Sequence, residues 1–213
     1  MQAIDSHAIH TLGIPRVLLM DHAGLAVARA VRAAAPAAST PILVCCGTGY
    51  NGGDGLSAAR HLAGWGYPVR VIVTGRLNLL RQEPAAFARI VQAVGLEVRE
   101  CASAGDVSGC EAWFAQAGTI VGALLGIGTQ GAVREPAASL ISRINASKKP
   151  VIAVDIPSGL DGDTGHAQGV AVRAASTVTF GLPKQGLCAA DGPAHAGSLI
   201  VDPITIPQRL LVP

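Results

Sequence analysis

Apolar positions in this chain follow two different periods. Residues 17–34 set Leu18, Leu19, Ala23, Val27, Ala30 and Val31 on one side at helical spacing, and residues 2–12 read as a shorter helix before them. From residue 41 onward, short Val/Ile-rich runs alternate with helical stretches. The pattern predicts strands at 41–46, 68–74, 96–100, 118–125 and 150–155, helices at 54–65, 82–94, 106–116 and 134–147, and further strands near 176–181 and 197–202. Runs such as VRVIVT and PVIAVDI lack polar alternation, as expected of strands that helices cover on both faces. The expected fold is therefore α/β: a three-layer α/β/α Rossmann-like sandwich with a mainly parallel sheet, formed as a single domain over residues 1–213. The Ala-rich segment Ala33 to Ala38, with Pro36, reads as a helix end rather than a domain boundary.

Composition narrows the class. Half of the residues are hydrophobic and 14% are charged, the formal net charge is +2, and aromatic residues make up 3%. The basic residues are scattered, so neither nucleic acid nor an anionic membrane is an expected partner. Every apolar stretch is interrupted before it reaches membrane-spanning length, and the opening MQAIDSHAIH has neither the basic lead nor the apolar run of a secretion signal. Five cysteines, without a C-x-x-C pair, fit a reducing cytoplasm better than a disulfide framework or a zinc site.

In open parallel sheets ligands bind beyond the carboxyl ends of the strands. Three loops there carry candidate chemistry: GTGYNGGDG at 47–55, GIGTQG at 126–131 and DIPSGLDGDTG at 155–165. The first has five glycines in nine residues, which lets backbone N–H groups approach a nucleotide or its phosphates, and it adds the side-chain oxygens of Asn51 and Asp54. The alternative is a tight turn that only joins strand to helix. Both glycine loops match G-x-G-x-x-G, but the first runs on through Gly53, Asp54 and Gly55, and the strand after it ends Thr74, Gly75, Arg76 without an acidic residue, so a hydride-transferring dehydrogenase is disfavoured.

Asp155 closes a buried strand, where a general acid/base of tuned pKa could work; equally, it could cap the next turn. Asp161 and Asp163 read as turn formers, because no glutamate completes a calcium loop. Ser158 lacks the nucleophile-elbow frame. Lys184 could reach the same rim or stand as a solvated surface lysine. There is no G-K-[ST] and hence no Walker-type ATPase.

Taken in order, IDSHAIHTLGIPRVLLMDHAG, VCCGTGYNGGDGLSAARHL, LLGIGTQGAVREP, KKPVIAVDIPSGLDGDTG and VTFGLPKQGL resemble the NAD(P)H-hydrate epimerase family, the YjeF N-terminal type domain, over nearly the whole chain. The resemblance implies a Rossmann-like enzyme, usually a homodimer, that interconverts the R and S epimers of hydrated NADH or NADPH. It also implies coupling to an ATP- or ADP-dependent dehydratase that consumes the S epimer. By the same resemblance Asp155 is the catalytic acid/base and Asn51 and Ser158 bind a potassium ion. Substrate contacts fall on Tyr50, Asn51, Gly52, Gly53, Asp54, Asp155 and the loop Gly126, Ile127, Gly128, Thr129, Gln130, Gly131 and Ala132. Tyr50, Ile127 and Gln130 are included only because they lie within those loops.

The chain departs from the family at three places: Tyr50 replaces the loop's first Asn, Gly122 replaces an Asp that ligates potassium, and His22 replaces an Asn. Losing a carboxylate removes a hard oxygen ligand, so a weakened or absent ion site is expected. The alternative to an epimerase is a catalytically inactive nucleotide-binding or scaffold homodimer of the same fold.

Overall fold

A computed structural model describes residues 1–35, 39–129 and 131–211. The end of the Ala-rich segment and Gln130 lie outside the described residues. Two helices, α1 (Gln2–His10) and α2 (Arg16–Ala34), precede the first strand. The strands are β1 (Ile42–Cys46), β2 (Val69–Thr74), β3 (Glu97–Cys101), β4 (Thr119–Ala123), β5 (Val151–Val154), β6 (Ser176–Phe180) and β7 (Ser198–Asp202). Between and after them lie α3 (Tyr50–Gly64), α4 (Gln82–Ala93), α5 (Ala104–Ser108), α6 (Glu111–Gln116), α7 (Ala137–Ala146) and α8 (Gly192–Ala196).

All pairings between these strands are parallel, and the strand order is β3-β2-β1-β4-β5-β6-β7. The residues of β1 and β4 are buried throughout, as the unbroken apolar runs require. One core cluster joins Val27, Val44, Leu56, Val71 and Val154 beneath α2, α3 and α4; the other joins Leu43, Ile72, Phe114, Ile120 and Ile141 on the opposite face. This is the expected three-layer arrangement. After β3 the chain crosses back to place β4 beside β1, so the loops after β1 and β4 diverge and open a crevice between them. Among the described residues no helix is long and apolar enough to cross a membrane.

Two expected elements differ. The helix expected over 106–116 is two short helices, α5 and α6, broken at Gly109 and Cys110. The helix expected at 54 begins at Tyr50, so Gly52, Gly53 and Gly55 belong to its first turns rather than to a loop. Packing outweighs their poor helix propensity: a Cβ on Gly52 would lie 1.9 Å from the Gly47 carbonyl oxygen, and one on Gly55 would lie 2.6 Å from Ala123 Cβ. Those glycines bring α3 close to the sheet.

Candidate active site at the strand tips

A cleft of about 640 Å³ opens over the tips of β1, β4 and β5. Thr48, Gly49, Tyr50, Asn51 and Asp54 line it from the β1 side, Leu124 to Thr129 from the β4 tip, and Asp155, Phe180 and Lys184 from the β5–β6 side; α1 adds Asp5. Of the substrate-contact residues expected from sequence, Tyr50, Asn51, Asp54, Gly126, Ile127, Gly128, Thr129 and Asp155 thus share one cavity. Gly52 and Gly53 are buried in the packing of α3, whereas Gly131 and Ala132 are exposed beyond the cleft lining. Of the glycines that line the cleft, Gly49 and Gly128 are open: a Cβ on either would meet nothing within 4 Å among the described residues, so their backbone is free to face a ligand.

Asp155 stands just past the end of β5 with φ of +64°, in the left-handed region where an aspartate is tolerated but costs energy. Its carboxylate is held firmly. Oδ1 accepts from the Phe180 N–H at 3.2 Å, from the Thr179 hydroxyl at 3.4 Å and from the Lys184 ammonium. Lys184 Nζ also donates to Thr179 Oγ1 at 3.2 Å and to the Phe180 carbonyl at 3.1 Å, so its three protons are used. Its side chain is 6% exposed, so the surface alternative for Lys184 is set aside. Among the described residues no donor reaches Oδ2 of Asp155, which is left to the cleft.

Asp54 presents a different carboxyl to the same cleft. It accepts no hydrogen bond among the described residues. Burial pushes its pKa well above the usual carboxylate value, the negative charge of Asp155 adds to the rise, and Lys184 opposes it. Asp5 is raised as well, by burial first, with Lys184 offsetting part of the rise. Sequence reasoning gave α1 no role here; its polar, mixed pattern carries no signal of a cleft wall.

Asn51 fastens the two glycine loops together through its Nδ2, which donates to the Leu125 carbonyl at 3.0 Å. Its Oδ1 is buried without a partner among the described residues. Ser158 Oγ accepts from the N–H groups of Leu124 at 3.1 Å and Leu125 at 3.0 Å and donates to the Leu125 carbonyl at 3.2 Å. A hydroxyl with both lone pairs and its proton engaged has nothing left for a cation. With Gly122 contributing no side chain, Asn51 Oδ1 alone of the expected ligands is free, and these side chains do not fit a resident potassium ion. Among the described residues no three His, Cys, Asp or Glu side chains gather as a metal site. Asp161 is the turn former expected, with Oδ1 accepting from the N–H groups of Asp163 and Thr164.

The family described as YjeF-related protein N-terminus matches residues 17–186. The chain is 48% identical over 200 residues to the bifunctional NAD(P)H-hydrate repair enzyme Nnr of Pyrobaculum aerophilum, covering 93% of this chain and 39% of that protein. It therefore spans about two fifths of the length of such bifunctional relatives. It is 40% identical over 203 residues to the NAD(P)H-hydrate epimerase of Limosilactobacillus fermentum, covering 94% of this chain and 92% of that one. The crystal structure of the yeast protein ynu0 superposes with a TM-score of 0.80 at 25% identity, over 94% of this chain and 84% of that one.

Proposed function

We propose, from the premise that this chain belongs to the family of YjeF-related protein N-termini, that it interconverts the R and S epimers of hydrated NADH and NADPH. The observation that supports this most is the Asp155 carboxylate, pinned through one oxygen and open to the cleft through the other. The cleft's 640 Å³ suits a nucleotide-sized guest, since small-molecule pockets run to about 300–1,000 Å³.

The substrate carries a hydroxyl on a saturated ring carbon next to the ring nitrogen. The nitrogen lone pair expels that hydroxyl to give a planar iminium cation, and water returning to the opposite face inverts the centre. Asp155 transfers a proton at Oδ2, and its negative charge stabilises the cation. Lys184 and the Phe180 N–H hold the carboxylate in place for this. The pyrophosphate is served by the open backbone at Gly49 and Gly128 and by the amino end of α3. No step runs through a potassium ion.

The same reading makes the S epimer the substrate of an ATP- or ADP-dependent dehydratase, puts the chain in the cytoplasm with its cofactors, and takes the homodimer as its assembly. On the edge strand β7, Leu199, Ile200 and Val201 offer exposed apolar surface for a second copy to cover. Incubation with the R epimer of hydrated NADPH and a purified dehydratase, following NADPH recovery, tests the activity. Recovery no faster than spontaneous epimerisation refutes it. Tight nucleotide binding that Asp155→Asn leaves intact, without turnover, would instead favour a non-catalytic module.

A further inference from the structure

Inversion through a planar cation needs proton transfer on both faces of one ring. The old oxygen leaves one face as water while a new water attacks the other. A carboxyl that reaches a single face cannot serve both unless the ring turns over between the two half-reactions. Asp155 enters the cleft from the β5–β6 side, and the β1–α3 side brings in a carboxyl with no task yet.

Resting on the epimerase reading, we propose that Asp54 is the second catalytic residue: it protonates the hydroxyl leaving from its face while the lysine-paired Asp155 takes the proton of the water attacking from the other. Asp54 lies in the second turn of α3, which follows β1, whereas Asp155 lies at the tip of β5. In the sheet β4 separates those strands, so their tips stand two spacings apart, about 9–10 Å. The Leu124–Gly128 loop lies between them, and both side chains line the cleft.

The two environments set the proton inventory. Asp155 receives an ammonium, a backbone N–H and a hydroxyl on Oδ1. Asp54 receives none among the described residues. The charged groups that act on it are Asp155 and Asp5, which favour its protonated form, and Lys184, which opposes them. A carboxyl that burial keeps protonated is suited to the acid's part, and one that faces an ammonium to the base's.

The step balances. The C–O bond breaks as the ring nitrogen lone pair forms C=N⁺, and the oxygen leaves as water with the proton of Asp54. A second water then forms the new C–O bond, its proton passes to Asp155, and the pair returns to nitrogen. Each inversion moves one proton from Asp54 to Asp155, the opposite epimer reverses it, and solvent resets the pair. Asp5, from α1, lines the same cleft and is the rival acid.

Epimer ratios followed directly from each pure epimer of hydrated NADPH test this without a dehydratase. The expected result is that Asp54→Asn lowers kcat about 10²–10⁴-fold with KM little changed, and that the fall of wild-type kcat/KM at alkaline pH disappears in the variant. Asp54→Glu should recover part of the rate. A raised KM with intact kcat would mean a binding role and overturn the proposal, as would an alkaline limb that Asp54→Asn retains and Asp5→Asn removes. If Asp54→Asn does not fold, a wild-type profile lacking that limb overturns it instead. An active wild type beside a near-normal Asp54→Asn defeats this inference alone, whereas a wild type no faster than solvent defeats the epimerase reading as well.

Discussion

The β5–β6 side of the cleft and the β1–α3 side each offer one aspartate, and they are built in opposite ways. On the first side the chain spends charge and hydrogen bonds: Lys184, 29 residues beyond Asp155 in sequence, returns to lie against it, with its remaining protons on Thr179 and Phe180. On the second side it relies on close packing: glycines bring α3 onto the strands, and Asp54 lines the hollow without a donor among the described residues. Which partners a carboxyl finds in this cleft therefore depends on what the neighbouring strand returns to it, not on its own loop.

The largest effect comes from breaking the charged side. Lys184→Met leaves Asp155 without its cation in a place where the pair is 6% and 14% exposed. Removing one partner of a buried pair costs about 3–5 kcal/mol. Epimerisation should fall to the solvent rate, and denaturant melts should show the loss. Adding Asp155→Asn to Lys184→Met should recover much of the stability and none of the activity. Equal stability of Lys184→Met and wild type would mean the pair contributes nothing.

The packed side breaks sterically. Gly47→Ala would put a Cβ 1.8 Å from the Leu124 carbonyl oxygen, and Gly52→Ala would put one 1.9 Å from that of Gly47. Overpacking of this kind costs about 1–3 kcal/mol and sometimes more. Gly49→Ala meets nothing within 4 Å, so it should fold normally and weaken nucleotide binding instead. Melting temperatures and nucleotide affinities measured for the three variants separate glycines that pack from the one that faces the ligand.

A gentler change sharpens the contrast. Because Asp54's pKa is raised on folding, the native state keeps a proton that the unfolded chain releases near pH 3.9 or so. Its favourable contribution is complete below that pH and is lost as pH climbs through the native pKa, by up to about 1.4 kcal/mol per pH unit. Asp54→Asn removes this slope. The variant should equal wild type near pH 3 or so and exceed it at alkaline pH, as read by urea denaturation across pH. A constant offset at every pH would show that Asp54 does not titrate in folding.

Much of this architecture was legible. Val/Ile runs without polar alternation announced buried parallel strands, and Asp161 announced its turn. The start of α3 was not legible, because Asn-Gly-Gly-Asp-Gly reads as a breaker and only its fit against Gly47 and Ala123 makes it helical. Nor was the burial of Lys184, since its partner follows from sheet order. The cleft brought together the residues that the glycine loops nominated, but it left Gly52 and Gly53 to packing and added Asp5 from a helix whose sequence carried no warning.

The smallest expected effect is a null one. The resemblance implies potassium on Asn51, Ser158 and a carboxylate where this chain has Gly122, yet Ser158 Oγ is fully engaged with the Leu124 and Leu125 backbone. Wild-type melting and epimerisation should therefore be the same in potassium and in tetramethylammonium. A Cβ on Gly122 would lie 3.5 Å from Val151 Cγ1 and 3.8 Å from Val172 Cγ1, which is ordinary contact, so Gly122→Asp fits sterically. Its carboxylate would stand unpaired among valines, however, and a buried charge without a partner is costly. Gly122→Asp should melt below wild type without potassium and regain stability as potassium is added, which wild type should not do. A wild-type melting temperature that climbs with potassium specifically would show that backbone oxygens and Asn51 Oδ1 suffice for an ion, and that this side of the cleft is less dependent on packing than its glycines imply.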